Sequence, residues 1–175
     1  MTNKHWRKKQ GKDQYFRKAK AEGYRARSAY KLTEINSKFR VIRKHDRVLD
    51  IGAAPGSWSQ LAHKLVGPRG HVVGVDIKEI EPLPGVTFIQ GDIREASVLQ
   101  QLQAAVNGEP FNTVISDIAP NATGVRVRDH VRSIELSLFA LTVALQVLRK
   151  GGNFATKTFM GEDFGDLLKL TRRYF

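Results

Sequence analysis

VLDIGAAPGSW, residues 48–58, is the stretch whose reading decides the fold. Val48, Leu49 and Ile51 form an apolar run around one acid, Asp50. Gly52, Ala53, Ala54, Pro55 and Gly56 follow, and Ser57-Trp58 opens a helix-like segment. A buried strand that ends in small residues and opens a helix is how α/β proteins build a nucleotide-sized crevice. The glycine spacing then separates two classes of cofactor. Dinucleotide enzymes show G-x-G-x-x-G, with a helix N-terminus against the pyrophosphate. Here the pattern is G-x-x-x-G with an acid inside the strand end, which suits a ligand carrying positive charge. S-adenosylmethionine, with its ammonium and sulfonium, is such a ligand.

Outward from that loop, 175 residues with 41% hydrophobic content are enough for one core and one globular domain. No apolar run approaches bilayer-spanning length, and the N-terminus has no apolar signal region, so neither a membrane protein nor a secreted one is expected. The chain has no cysteine, which removes disulfides and thiolate chemistry and fits a reducing, cytoplasmic compartment. The net charge is +12, and it is uneven. Residues 1–47 hold 16 of the 29 Lys and Arg against four acids, while the remaining residues are balanced at 13 and 13. Trp6, Tyr15, Phe16, Tyr24 and Tyr30 interleave with those charges. A solubilising tail would show the charge alone; interleaved aromatics favour contact with RNA or DNA.

Residues 1–27 have little periodicity and read as a basic arm, partly ordered. Ser28 is a candidate N-cap for a helix that places Leu32, Ile35 and Phe39 on one face, with Lys31 at the edge of that stripe. Strand-like and helix-like units then alternate. The strands are 48–51, 71–77, 85–92, one ending at Asp117, and 153–159; helices run over 57–66 and 95–106. A loop over 120–130 carries Arg126 and Arg128. The long helix after it puts Ile134, Leu138, Leu141, Leu145 and Leu148 on one face and stops at Gly151-Gly152; a last helix runs from 162 to 175. The pattern predicts an α/β fold, a doubly wound, mostly parallel sheet with helices on both faces.

Ligands of such sheets bind beyond the carboxyl ends of the strands. Those ends supply, in order, the Gly52–Gly56 loop with Trp58, then Asp76-Ile77, Asp92-Ile93, Asp117 and Lys157. Asp76, 20 residues past Gly56, is placed to accept from a ribose diol, and Asp92 to meet the exocyclic amine of adenine. Each acid alone could be a turn or cap residue; their succession after the glycine loop favours an adenosine site. Lys157 falls in a strand expected to be buried on both faces, where lysine is rare unless paired or catalytic. Snorkelling is the alternative, and Asp117 at the neighbouring strand end is a candidate partner.

Six segments together, YRARSAYKL (24–32), LDIGAAPGSWSQ (49–60), VVGVDI (72–77), GDI (91–93), SDIAPNATG (116–124) and the Lys157 strand, resemble the FtsJ/RrmJ family of ribosomal RNA 2′-O-ribose methyltransferases. The resemblance runs from Tyr24 onward and implies a Rossmann-like class I methyltransferase fold over 28–175 behind an RNA-binding arm, 1–27. It implies methyl transfer from S-adenosylmethionine to a ribose 2′-hydroxyl, with a uridine of large-subunit (23S-type) rRNA, within the ribosomal subunit, as the expected target. Of the family's Lys-Asp-Lys-Glu tetrad, three members fall on Lys31, Asp117 and Lys157. The expected cofactor contacts are Asp50, Gly52, Ala53, Pro55, Gly56, Trp58, Asp76, Ile77, Asp92, Ile93 and Asp117. The family's glutamate lies in a strand beyond the last helix. The sequence stops at Phe175, so that glutamate and two closing strands are expected to be absent, as in a fragment or a shortened protein.

A ribose hydroxyl is a weak nucleophile, and a lysine accepts its proton only if its own pKa falls from about 10.4. Lys157 is the expected general base, Asp117 its positioner and Lys31 a second cation. Lys4, Arg7, Lys8, Lys9, Lys12, Arg17, Lys18, Lys20, Arg25 and Arg27 are expected to carry the RNA backbone toward it, with Arg126 and Arg128 opposite. The five histidines have no ligand spacing, so no metal is expected, and a monomer is the expected state. Three alternatives stand beside this reading: a tRNA 2′-O-methyltransferase of the same family, a nicotinamide-dependent oxidoreductase, and a catalytically impaired RNA-binding module.

Overall fold

A computed structural model of the chain describes residues 14–120 and 123–175. The expected arm residues 1–13, and Asn121-Ala122 of the SDIAPNATG motif, lie outside the described residues. The elements in chain order are α1 (Gln14–Ala21), α2 (Ala29–Phe39), β1 (Arg47–Ile51), α3 (Ser57–Val66), β2 (His71–Asp76) and β3 (Val86–Gln90), followed by α4 (Ala96–Ala105), β4 (Phe111–Ser116), α5 (Arg126–Val147), β5 (Leu148–Thr156) and α6 (Phe164–Thr171).

The strands form a sheet of order β3-β2-β1-β4-β5. Every pairing is parallel. The order reverses between β1 and β4, which opens the crevice beyond their carboxyl ends. The apolar runs follow from burial on both faces. Successive side chains of a strand point to opposite sides. Accordingly Val48, Val72 and Ile115 pack with Leu32, Trp58 and Leu61 of α2 and α3, while Leu49, Val73 and Val114 pack with Leu102, Ala140 and Val143 of α4 and α5.

Several boundaries differ from the sequence reading, each for a physical reason. Ser28 is itself helical (φ −63, ψ −19) and makes no capping bond. Its hydroxyl instead pairs with Ser57 Oγ at 2.8 Å, tying α2 to the glycine loop. Phe39, expected in the core, is 64% exposed at the C-terminal end of α2, where Lys38 Nζ lies over its ring, 5.2 Å from the centroid. The third strand closes at Gln90, before Gly91-Asp92. The expected loop 120–130 ends earlier, because α5 already begins at Arg126 and carries Arg126 and Arg128 in its first turn.

At its other end α5 gives way to β5 at Leu148, well ahead of Gly151-Gly152. Leu148 pairs with Phe111 and Asn153 with Thr113, so the glycines sit in a bulge of the strand and do not end a helix. Leu145, expected to be buried, is exposed. The last helix stops at Thr171, four residues before Phe175, whose ring stacks on Phe154 of β5 at 5.7 Å. By length and composition α5 alone among the described helices could cross a bilayer, but Ile134, Ala140, Leu141, Val143 and Ala144 bury one side of it.

Candidate active site

The carboxyl ends of the strands meet around a cavity of about 670 Å³, lined among others by Gly52, Asp76, Ile77, Asp92, Ile93 and Asp117. A smaller hollow of about 50 Å³ lies against it, lined by Asp50, Ala53, Pro55, Trp58, Asp117 and Ser28. Asp117 and Gly52 belong to both, so the glycine loop forms the partition between them.

Main-chain bonds hold that loop. Gly52 N and Ala53 N both donate to Val75 O, at 2.9 and 3.1 Å. Ala54 N donates to Asp76 Oδ2 at 2.9 Å, and Lys78 N to Asp76 Oδ1 at 2.9 Å. Each Asp76 oxygen keeps a further lone pair toward the cavity. Gly52 has φ +73, and a Cβ there would stand 2.8 Å from Ile118 Cβ. Only glycine lets the loop pass that close to the Asp117-Ile118 segment. At Gly91 a Cβ would meet Val98 at 2.6 Å. Gly56, at φ +100, caps α3 and lines neither cavity.

The acids differ sharply in environment. Asp50 is fully buried; Oδ2 accepts from Ser59 Oγ at 2.7 Å while Oδ1 has no partner. Burial pushes its carboxyl up to about 7, with the nearby Asp117 and Asp76 adding to the effect against the opposing Ser59 bond. Asp92 goes the other way: hydrogen bonds from the Arg94 side chain and backbone hold it down to about 2. Arg94 Nε reaches Asp92 Oδ1 and Oδ2 at 2.8 and 2.9 Å, and Arg94 also lines the larger cavity. Trp58, expected as a cofactor contact, is 2% exposed, and its Nε1 donates to Ser28 O at 2.8 Å. Ile77 is exposed at the mouth of the cavity and Ile93 is buried in its wall.

Lys157 follows the last residue of β5, and its amide donates to Ser116 O at 3.0 Å. Its Nζ donates to Asp117 Oδ1 at 2.5 Å and to Asp117 O at 3.1 Å. The strand is not buried on both faces as expected: among the described residues β5 is an edge, and Asn153 to Thr156 are half-buried. Lysine is tolerated there because Asp117 pairs with it. Lys31 sits one turn into α2, its amide donating to Ser28 O at 3.0 Å, and its side chain is exposed. It lines neither cavity; the Ser28–Ser57 and Ser28–Trp58 bonds anchor its helix beside the loop.

Residues 14–27, read as arm, pack onto the domain. Tyr24 and Tyr30 lie edge to face with centroids 5.9 Å apart, and Tyr15 tilts onto Tyr30 at 5.9 Å. Lys64 Nζ of α3 lies 4.3 Å from the Tyr24 centroid. These three aromatics, whose interleaving with the charges favoured nucleic-acid contact, are engaged in docking the segment. Arg25, expected on the RNA backbone, gives its guanidinium to three carbonyls instead: Pro55 O at 3.1 Å, Glu81 O at 2.6 Å and Pro82 O at 2.8 Å. It clamps the glycine loop from outside.

Sequence reasoning also missed a polar seam on α5. Ser133 Oγ accepts from Phe159 N at 2.9 Å, and Ser137 Oγ reaches Lys157 O at 3.3 Å. His130 Nδ1 lies 3.0 Å from Phe159 O. Polar residues at 130, 133 and 137 share one helix face, and that spacing was the available signal.

The family model described as FtsJ-like methyltransferase matches residues 24–175. The ribosomal RNA large subunit methyltransferase E of Methanothrix thermoacetophila is 54% identical over 164 residues, which cover 94% of this chain and 63% of that protein. The chain therefore spans less than two thirds of that relative. The mitochondrial rRNA methyltransferase 2 of Schizosaccharomyces pombe is 46% identical over 182 residues, covering 97% of this chain and 84% of that protein. Among solved structures, one described as a ribosomal RNA methyltransferase from Plasmodium falciparum matches with a TM-score of 0.77 at 32% identity, over 84% of this chain and 85% of that one. Aeropyrum pernix fibrillarin, solved with S-adenosyl-L-methionine, shares the fold at a TM-score of 0.52 and 19% identity, over 76% of this chain and 58% of its own.

Proposed function

The chain belongs to the FtsJ-like methyltransferase family, and on that premise we propose that it transfers a methyl group from S-adenosylmethionine to the ribose 2′-hydroxyl of a uridine in large-subunit ribosomal RNA. The observation that carries the reading is the Lys157–Asp117 pair on the rim of a cavity whose other acids are Asp76, Asp92 and Glu135. The names of the relatives from Methanothrix and Schizosaccharomyces support the ribosomal substrate.

The residues present fit the cofactor. The cavity has room for an adenosine group, and Asp76 keeps acceptor capacity for a ribose diol after its two main-chain bonds. Asp92 offers an acceptor for an adenine amine. The orphaned Oδ1 of Asp50, at the smaller hollow, is an acceptor with no internal donor. S-adenosylmethionine, when bound, supplies an activated methyl on a sulfonium leaving group. What remains for the chain is to orient the ribose and take its proton.

Lys157 is assigned as the base by donor counting. A neutral amine has two N–H donors and one lone pair. Both donors are engaged by Asp117, at Oδ1 and O, which leaves the lone pair for the incoming hydroxyl proton. Lys31 would hold the phosphate or ribose of the target on the α2 side.

Labelled methyl transfer to large ribosomal subunits and to tRNA, run in parallel, tests the proposal. Label in the subunit, resistant to base hydrolysis at one ribose, is the expected result. Label in tRNA alone overturns the substrate, and label in neither overturns the activity.

A further inference from the structure

The basic excess does not all lie at the methyl-transfer end. The loop 40–46 precedes β1, and the loop 67–70 precedes β2. Two main-chain bonds hold these loops together: His45 N to Val66 O at 2.8 Å and His71 N to Asp46 O at 3.0 Å. In a parallel sheet they lie at the end opposite the glycine loop, roughly 17 Å away along β1. Arg40, Arg43, Lys44 and Arg69 are all exposed there.

No carboxylate pairs with any of these four among the described residues. The nearest acid in sequence, Asp46, is buried and turned inward, with Oδ2 accepting from Arg43 N at 2.8 Å and Thr113 Oγ1 at 3.3 Å. Arg69 donates to the ring of His45 at 2.9 Å, not to an acid. Like charges gathered with no carboxylate paired to their side chains repel one another, and a polyanion relieves that repulsion.

The backbone adds an independent observation. Arg40 closes α2 at φ +51, and His45 stands at φ +70. Both are left-handed positions at which glycine is the low-cost residue, and a helix C-terminus usually has glycine there. Here an arginine and the histidine that holds Arg69 occupy them. Side chains kept at a conformational cost mark a surface with a task. The geometry of α2 connects this surface to the site: its first turn carries Lys31 beside the glycine loop, and its last turn carries Lys38 next to Arg40.

We propose that Arg40, Arg43, Lys44 and Arg69 form a second RNA-backbone contact, which grips ribosomal RNA remote from the methylated nucleotide while Lys38 and Lys31 on α2 lead toward the site. This rests on the ribosomal RNA reading of that site. The contact is with phosphates, so it confers affinity and placement without sequence preference.

The test is the full chain carrying Arg43→Gln, Lys44→Gln and Arg69→Gln, beside a charge-matched control with Lys169→Gln, Arg172→Gln and Arg173→Gln. Binding to large ribosomal subunits is read by co-sedimentation at several salt concentrations, and methyl transfer is measured on the same subunits. The triple variant should bind about tenfold more weakly or worse, with a log–log salt slope shallower by about 2, for three lost phosphate contacts. Its KM should rise in step, with kcat and S-adenosylmethionine affinity unchanged. Unchanged binding and slope, or an equal loss in the control, overturns the second contact. Binding needs no turnover, so absence of methyl transfer in the wild type would sink the activity reading separately.

Discussion

The two halves of the sheet hold their functional side chains by different means. On the β1–β2–β3 side the grip on Asp76 and on the first amides of the glycine loop is main-chain: Ala54 N and Lys78 N fix Asp76, and Val75 O fixes the amides of Gly52 and Ala53. On the β4–β5 side the grip on the proposed base is by side chains: Asp117 holds Lys157, and Ser133, Ser137 and His130 of α5 hold the segment that follows. A main-chain lock survives most substitutions of its neighbours, whereas a side-chain lock is one substitution from failure. The first arrangement suits a binding surface that must be stable. The second suits the lysine proposed as base, whose placement and charge state would then decide a rate. Substitutions on the first side should therefore cost affinity, and those on the second should cost turnover.

Lys157→Ala gives the largest separation between the two. Loss of the proposed general base should lower kcat by about 10²- to 10⁴-fold, while affinity for S-adenosylmethionine by calorimetry should stay within about twofold. An equal fall in cofactor affinity would dissolve the distinction between the halves.

Asp50 tests the binding side through pH. Its folded pKa, about 7, stands above the ordinary value of 3.8. Between those values the folded state holds a proton that the unfolded state has released. Stability from this group is therefore full below pH 3.8 and falls as pH rises through 7, by at most about 1.4 kcal/mol per unit. Asp50→Asn should remove that slope, so urea unfolding of variant and wild type should diverge in the variant's favour from pH 5 to pH 8. Parallel curves over this window would mean that the carboxyl titrates normally.

Asp76→Asn should weaken the cofactor by about 10- to 100-fold, the scale of a hydrogen bond to a charged group, with kcat at saturation little changed. A kcat loss as large as that of Lys157→Ala would show that the loop positions the reacting atoms as well as the ligand.

How far the sequence reached follows the same division. The strand-end acids were legible because a parallel sheet puts all its strands' carboxyl ends at one edge: Asp76 ends β2, Asp117 directly follows β4 and Asp92 comes two residues after β3. The β5 boundary was not, because Gly151-Gly152 looks like a helix stop and only the Leu148–Phe111 pairing reveals a bulge. Arg25 counted as one more arm charge; its three carbonyl partners come from Pro55, Glu81 and Pro82, whose meeting is tertiary. The docking of Tyr15, Tyr24 and Tyr30 was hidden for the same reason. In α5, Ser133 and Ser137 gave no reading at all, since nothing local says which backbone groups will face them.

That seam supplies the smallest effect and the finest discrimination. Ser133 Oγ is the acceptor for Phe159 N, and its hydroxyl also lies 3.2 Å from Thr158 Oγ1. Ser133→Ala orphans that amide, which costs about 1–3 kcal/mol of local stability. Ser137→Ala removes one shared proton, because the same hydroxyl donates to Ser133 O at 2.9 Å, so its cost should be smaller. If the seam positions Lys157, Ser133→Ala should lower kcat several-fold, with cofactor affinity and KM for the subunit unchanged, and Ser133→Thr should restore it by returning the oxygen. A purely structural seam would lower the unfolding midpoint in Ser133→Ala and leave kcat alone below it. Only the first outcome makes α5 part of the reacting half.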